Sequence, residues 1–387
     1  MFESVFVYSL LTVVMVICGY FASQREPAYN GYSGVFTKNS HFLRPEIIIC
    51  ILAFAFVFGC RYNVGIDYPK YRYHYIFGTG ERYEFLFSAL SDICSYIGFH
   101  YAFFFALCAF CQIYMLLYAL RRYRFIFPYL LFFLIFGYYY MSMMNVIRQQ
   151  IAAMIFLCSL EFIEKKQIVW YYLCVLLAVG FHSSAIVLVV FYPLLCYRQD
   201  WFTNLPLQLV LLAIAVYFSF RYDLIVTWVE RPFRFFTSLL GYDRYSAGIL
   251  TNERLNSIAQ FGANTGYGMI VSLLKVLPII IFSKDLKAYY NSSLFNMFYT
   301  LFFIRVLADY FFGSSIILNR PFVYVSNINL VVLAFFVYYC FRSKSIIKKL
   351  CAVFLILLNM FMFLYILSNG SMNTSEFHFF WEAGLLM

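Results

Sequence analysis

The run Met144-Asn145-Val146-Ile147-Arg148-Gln149-Gln150 sets a guanidinium among carboxamides where a long apolar stretch begins. On one continuous helix Asn145, Arg148 and Gln149 are spaced i, i+3, i+4 and share a face. A fork of N–H donors with two amides suits the oxygens of a phosphate. The competing reading is an arginine snorkelling at a helix end, with the amides as glue between helices. Asp67 lies between Gly65 and Pro69, a turn that gives its carboxylate a defined direction. It could orient a hydroxyl or take its proton; it could also close an Asx turn or pair with Arg61. His182 stands at a helix junction beside Ser183 and Ser184. Its imidazole can move a proton near neutral pH, with the hydroxyls orienting it; a lone histidine there can equally be structural.

Other polar groups punctuate apolar surroundings. Arg305 and Asp309 are spaced i, i+4 and read as an ion pair, with Arg305 alternatively turned toward a cavity. Arg320 precedes Pro321 at a helix start, where backbone N–H groups favour anions. Lys275 lies three residues before Pro278, and Glu81, Arg82 and Glu84 flank a mouth. Glu376, His378 and Glu382 near the C-terminus read as solvated. The sequence has no P-loop, GxSxG elbow, HExxH or DxD-type pair. Neither ATP drive nor a metal-dependent nucleotide-sugar transferase is indicated, and no cofactor or metal is expected.

These groups need helices to hold them in a membrane. Of 387 residues, 64% are hydrophobic and 12% charged, where soluble chains carry about a quarter charged. Apolar segments near 3–22, 45–60, 100–120, 123–143, 146–163, 168–180, 182–197, 205–220, 268–283, 293–312, 321–341 and 350–368 predict an all-α polytopic protein of about twelve spans. Glu84, Ser88, Ser91, Asp92 and Ser95 give 84–98 a polar stripe, which predicts an amphipathic or re-entrant helix. No separate soluble domain is evident, so 1–387 reads as a single transmembrane domain. The N-terminal run reads as a first span rather than a removed signal peptide. The 49 Phe and 36 Tyr fit lipid-facing and interfacial positions, and the 11 scattered Cys read as small buried hydrophobes.

Loop charge orients the helices. Arg121, Arg122, Arg124, Lys165, Lys166, Arg198, Lys284, Lys287 and the run from Arg342 to Lys349 belong inside by the positive-inside rule. That leaves outside the loop 61–83, Arg148, His182 at the tip of a hairpin hinged at Gly180-Phe181-His182, the long loop 221–267, Arg320 and both termini. Basic residues on short outer segments run against the rule and suggest that they hold an anion. The loop 221–267 reads as extracytoplasmic, with short helices acting as a lid or as an interfacial anchor. The net charge of +10 follows from these loops; no nucleic-acid-binding signature stands out.

In these residues the chain resembles the EpsG family, within the broader Wzy-type polysaccharide polymerases. The matching pieces are Arg61 with Gly65-Ile66-Asp67-Tyr68 and Tyr71, then Glu84 before an apolar stretch. Asn145-x-x-Arg148-Gln149 with Ala152, Phe181-His182-Ser183-Ser184-Ala185, and Arg320 with Phe322 and Tyr324 follow in order. The Pro-Tyr often found near the family's last span is not obvious. The resemblance implies joining of repeat units between two undecaprenyl-diphosphate-linked oligosaccharides at the periplasmic or outer face of the bacterial cytoplasmic membrane. His182 or Asp67 would be the base. Arg148 and Arg320, with Arg305 and Arg61, would stabilise the leaving diphosphate, and Tyr71, Asn145, Gln149 and Ser183 would complete the substrate site. Membrane lipids and a chain-length regulator are the implied partners. A flippase or transporter of a lipid-linked or anionic glycan, and an O-antigen ligase, are the alternatives.

Overall fold

The structure is a computed structural model and describes residues 2–24, 42–78, 83–222, 224–229, 266–313, 315–370 and 376–385. The proposed lid falls mostly on 230–265, outside the described residues. The chain forms two compact units, residues 1–197 with 330–387, and residues 198–329.

The first unit opens with α1 (Phe2–Gln24) and α2 (Pro45–Gly59). A two-residue strand, β1 (Arg61–Tyr62), leads into α3 (Tyr68–Phe77) and α4 (Phe85–Tyr96). After α5 (Tyr101–Ala119) come α6 (Phe127–Phe136), α7 (Tyr139–Asn145), α8 (Ile147–Glu164) and α9 (Ile168–Phe181). A 3-10 turn over Ser183–Val190 follows, as does a short helix, Phe191–Tyr197. Pro sits in the first turn of α2, α3 and α6, where its missing N–H would have no helical partner. Small residues let α2 and α5 cross closely. A Cβ at Gly59 would lie 2.3 Å from that of Ala106, so any larger side chain would force the helices apart.

All twelve predicted apolar stretches are helical. Among the described residues, five helices are long and apolar enough to cross a membrane: Phe2–Gln24, Tyr101–Ala119, Ser293–Phe312, Ile317–Arg342 and Ile346–Ser368. The pair Arg121–Phe136 and Tyr139–Asn145, bent by 64°, passes the same test taken together, as a broken span or a re-entrant loop. The other apolar helices are shorter, so helical character and crossing length do not coincide at every stretch. The 84–98 stretch forms α4 as a helix that buries Phe87, Ser91 and Cys94, one face at helical spacing.

The predicted hairpin at Gly180-Phe181-His182 is present. The helix ends at Phe181, and His182 turns the chain in an extended conformation (φ −156°, ψ 115°). The C-terminal segment docks while leaving Glu376 exposed, as expected, and Glu382 40% exposed. His378–Phe379 (β2) pairs antiparallel with Arg61–Tyr62. The Phe377 N–H donates to Ser4 Oγ at 2.8 Å, and its ring is buried against Tyr8. Strand pairing and an apolar anchor hold the backbone here, with the Glu376 side chain left in the open.

In the second unit, Asn204 caps helix Leu205–Phe220 and Ser292 caps Ser293–Phe312, each side-chain oxygen accepting a backbone N–H. Thr300, Gln208 and Tyr299 are buried polar groups bonded within the unit, as the interior of a helical bundle requires.

Candidate functional site: a carboxylate between arginine and histidine

The chain breaks where the sequence predicts one helix. Val146 (φ −96°, ψ 55°) separates α7 from α8, so Asn145 and Arg148 do not share a helical face. Asn145 Oδ1 turns back instead and accepts the Asp67 N–H at 3.3 Å. Gly65 makes room for it: φ is +98°, and a Cβ there would stand 2.8 Å from Asn145 Oδ1. Gly65→Ala therefore combines backbone strain with a clash and is expected to destabilise the protein by about 1–3 kcal/mol. A thermal midpoint equal to wild type would contradict that.

Arg148 begins α8 and His182 ends α9, and these adjacent helices bring the two side chains to one place. Glu84, at the start of α4, joins them. Arg148 Nη1 donates to Glu84 Oε2. Glu84 Oε1 lies 2.8 Å from His182 Nδ1 and accepts the Ser183 N–H at 3.1 Å, with Ser183 Oγ at 3.3 Å. Burial pushes the Glu84 carboxyl up, but the His182 bond and the Arg148 charge outweigh it and hold it at about 2. The group is ionised at neutral pH and accepts hydrogen bonds only. His182 therefore presents Nδ1–H to Glu84, which leaves Nε2 as the ring nitrogen directed elsewhere.

The linkage sign is that of a depressed carboxyl. Its stabilisation is full above the ordinary value of 4.5 and is lost as pH falls through about 2. The difference in thermal midpoint between wild type and Glu84→Gln is expected to stay level from pH 7 to about 5.5 and to shrink below 4.5. A difference that grows on acidification would contradict this assignment.

Aromatic groups close over the arginine. Its guanidinium lies 4.3 Å from the Tyr83 ring centroid, a cation–π distance. The Tyr71 hydroxyl is hydrogen-bonded to the same guanidinium, and burial pushes Tyr71 up to about 12, so it is a neutral phenol. Asp67 precedes α3, and its charge adds to the upward push on Tyr71. Arg148 Nε is buried with no hydrogen-bond partner among the described residues. Gln149 is buried on α8.

Arg61, expected to bind substrate, is 1% exposed. Its nitrogens donate to the carbonyls of Phe58, Val64 and Met144, and the rings of Tyr68 and Phe105 flank it. Saturated with carbonyls and shielded by rings, it ties the 61–68 turn to the end of α7 and does not reach toward a ligand. In the second unit Arg305 Nη2 meets Asp309 at 2.5 Å, the expected ion pair, and Nη1 donates to Asn319 Oδ1 at 2.8 Å. Arg320 is exposed at the start of a 3-10 turn, Arg320–Val325. Among the described residues no group of three or more His, Cys, Asp or Glu is placed to hold a metal ion.

These pieces all fall within the reach of one family model. The EpsG family model matches residues 47–379, which takes in the Arg61–Tyr71 turn, Glu84, Arg148, His182, Arg320 and the docked strand at His378. The chain belongs to the EpsG family. That family comprises polysaccharide polymerases of the Wzy/EpsG type. No curated protein and no solved structure matches the chain. Within this EpsG chain, sequence reasoning assigned Arg148 and His182 separately and left Glu84, the group that joins them, at the mouth. The available signal was the pairing rule itself: a carboxylate before an apolar amphipathic helix needs a cation or a donor when buried.

Proposed function

We propose that this EpsG protein joins lipid-linked oligosaccharide repeat units by glycosyl transfer at the outer face of the bacterial cytoplasmic membrane. The donor is a glycan chain on undecaprenyl diphosphate, and the acceptor is the terminal sugar of a second lipid-linked unit. The observation that carries this reading is the bridge of Arg148 and His182 by Glu84 at one end of the α8–α9 pair. The opposite end of α8, about 27 Å away at 1.5 Å per residue, holds a basic cluster. There Arg121, Arg122 and Lys165 pair with Glu161 at 2.5–2.6 Å. Basic loops favour the cytoplasmic side, which supports an exterior position for the Glu84 end.

The chemistry follows from the bonds. His182 Nε2 takes the proton of an acceptor hydroxyl, with Glu84 stabilising the imidazolium that forms. The hydroxyl oxygen bonds to the donor's anomeric carbon, and the bond from that carbon to the diphosphate oxygen breaks. Undecaprenyl diphosphate leaves with the bonding electrons. Arg148 is already paired with Glu84, so it offers directional N–H bonds more than net charge. Its remaining donors, with the Tyr71 hydroxyl, face the leaving oxygens. Asp67 orients the acceptor sugar, and Asn145 holds the Asp67 turn. Arg320 is the corresponding phosphate ligand of the second unit, with Arg305 positioned by Asp309.

The test is purified protein in lipid nanodiscs with a defined oligosaccharide on undecaprenyl diphosphate, in EDTA and without nucleotide. Polymers of repeat-unit spacing are expected. Substrate that stays monomeric but moves between leaflets would favour the flippase.

A further inference from the structure

The cations of the first unit are unequally compensated. Arg148 is paired with Glu84, Arg61 with three carbonyls, and Arg121 and Arg122 with Glu161 and Glu164. Arg72 differs. It follows Tyr71 on α3, about 100° further round the helix, so it points away from Arg148. Its guanidinium carbon lies 5.4 Å from the Tyr62 ring centroid and 5.0 Å from that of Tyr101. Among the described residues its buried Nε has no hydrogen-bond partner and no carboxylate pairs with it.

Two ring faces hold a cation in place and keep water from its faces, but they accept no N–H bond along its edge. The edge of Arg72 is therefore a set of oriented donors lacking acceptors. The neighbourhood adds positive potential. His100 precedes α5, and its Nδ1 accepts the Ala102 N–H at 3.3 Å. Burial and the Arg72 charge lower the His100 pKa, so its neutral ring carries the proton on Nε2 as a further donor. The N-terminus of α5, a 19-residue helix, contributes a partial positive charge. Beside these donors the surface is apolar: the Phe380 ring is 4.7 Å from His100 and 5.1 Å from Trp381, which is 51% exposed.

We propose that Arg72, held between Tyr62 and Tyr101 with His100 beside it, binds the phosphate head of a prenyl-linked substrate, while the exposed aromatics meet the start of its tail. The site is separate from the Glu84 cluster. Arg148 faces the leaving diphosphate within the Glu84 cluster, and Arg72 holds a phosphate apart from it. Assigning the phosphate to a substrate rests on the polymerase reading; the phosphate chemistry does not. An ordinary phospholipid headgroup offers the same oxygens, so the experiment separates the two.

Farnesyl diphosphate is titrated by calorimetry into the full-length protein in detergent, with and without phosphatidylglycerol. Arg72→Gln is expected to weaken binding at least about tenfold, the scale of a lost charge-assisted contact. Arg72→Met, which keeps a stem between the rings, should do the same if Arg72→Gln is poorly inserted. Arg72→Lys should fall between them and wild type. Wild-type affinity in both neutral variants, or no measurable binding to wild type, overturns the proposal. Displacement by phosphatidylglycerol at equal concentration overturns the substrate assignment. A polymerising protein indifferent to Arg72 would sink this inference alone; a binding protein that never polymerises would sink the polymerase reading alone.

Discussion

Glu84→Gln is expected to slow polymer formation by about 10²- to 10⁴-fold with the protein still in the membrane. The substitution keeps the side chain's shape and removes its charge. One amide oxygen can accept from either Arg148 or the His182–Ser183 pair, while the amide NH₂ confronts the other partner donor to donor. His182 then loses the anion that fixes its Nδ1–H and stabilises the imidazolium. Rates measured in nanodiscs, with the thermal midpoint as a folding control, check this. A variant within a few fold of wild type would remove Glu84 from the mechanism.

Arg148→Ala carries the second large effect. It deletes the donors facing the leaving diphosphate and leaves Glu84 half-paired at 17% side-chain exposure. Loss of one such transition-state contact amounts to roughly 3 kcal/mol, about a hundredfold in rate, and misorientation of Glu84 adds to it. In cells, long glycan chains are expected to vanish while single repeat units stay on lipid. Arg148→Lys should recover little, because an ammonium cannot span both Glu84 and Tyr71 as a planar fork does. A normal chain-length ladder in Arg148→Ala would contradict the role given to Arg148.

The helices were legible because apolar runs of membrane length have few other uses; each is helical, although 123–143 and 182–197 are divided between elements. The turn after Arg61 was legible from Gly65 and Pro69, and the hairpin from the residues around His182. The break at Val146 was not, since nothing in Met144 to Gln150 forbids a continuous helix; the tertiary bond from Asn145 to the Asp67 N–H accompanies it. Arg61 was misread because arginine type says nothing about acceptors, and its acceptors are backbone carbonyls from three separate segments. Glu84 was undervalued for the same reason: its partners lie 64 and 98 residues away in sequence. The charged tail side chains read as solvated, and Glu376 is exposed; the docking through Phe377 and strand pairing was not legible, because its partners lie at the other end of the chain.

Most direct is a double-mutant cycle between Glu84 and His182, read as polymerisation rate on the defined lipid-linked substrate. If Glu84 acts through His182, His182→Asn alone removes nearly all that the pair contributes. Adding Glu84→Gln should then slow the reaction by less than about threefold, the non-additivity expected of groups that work as a unit. Losses that multiply, each variant retaining its full effect in the other's presence, would mean that the carboxylate and the imidazole serve different ends.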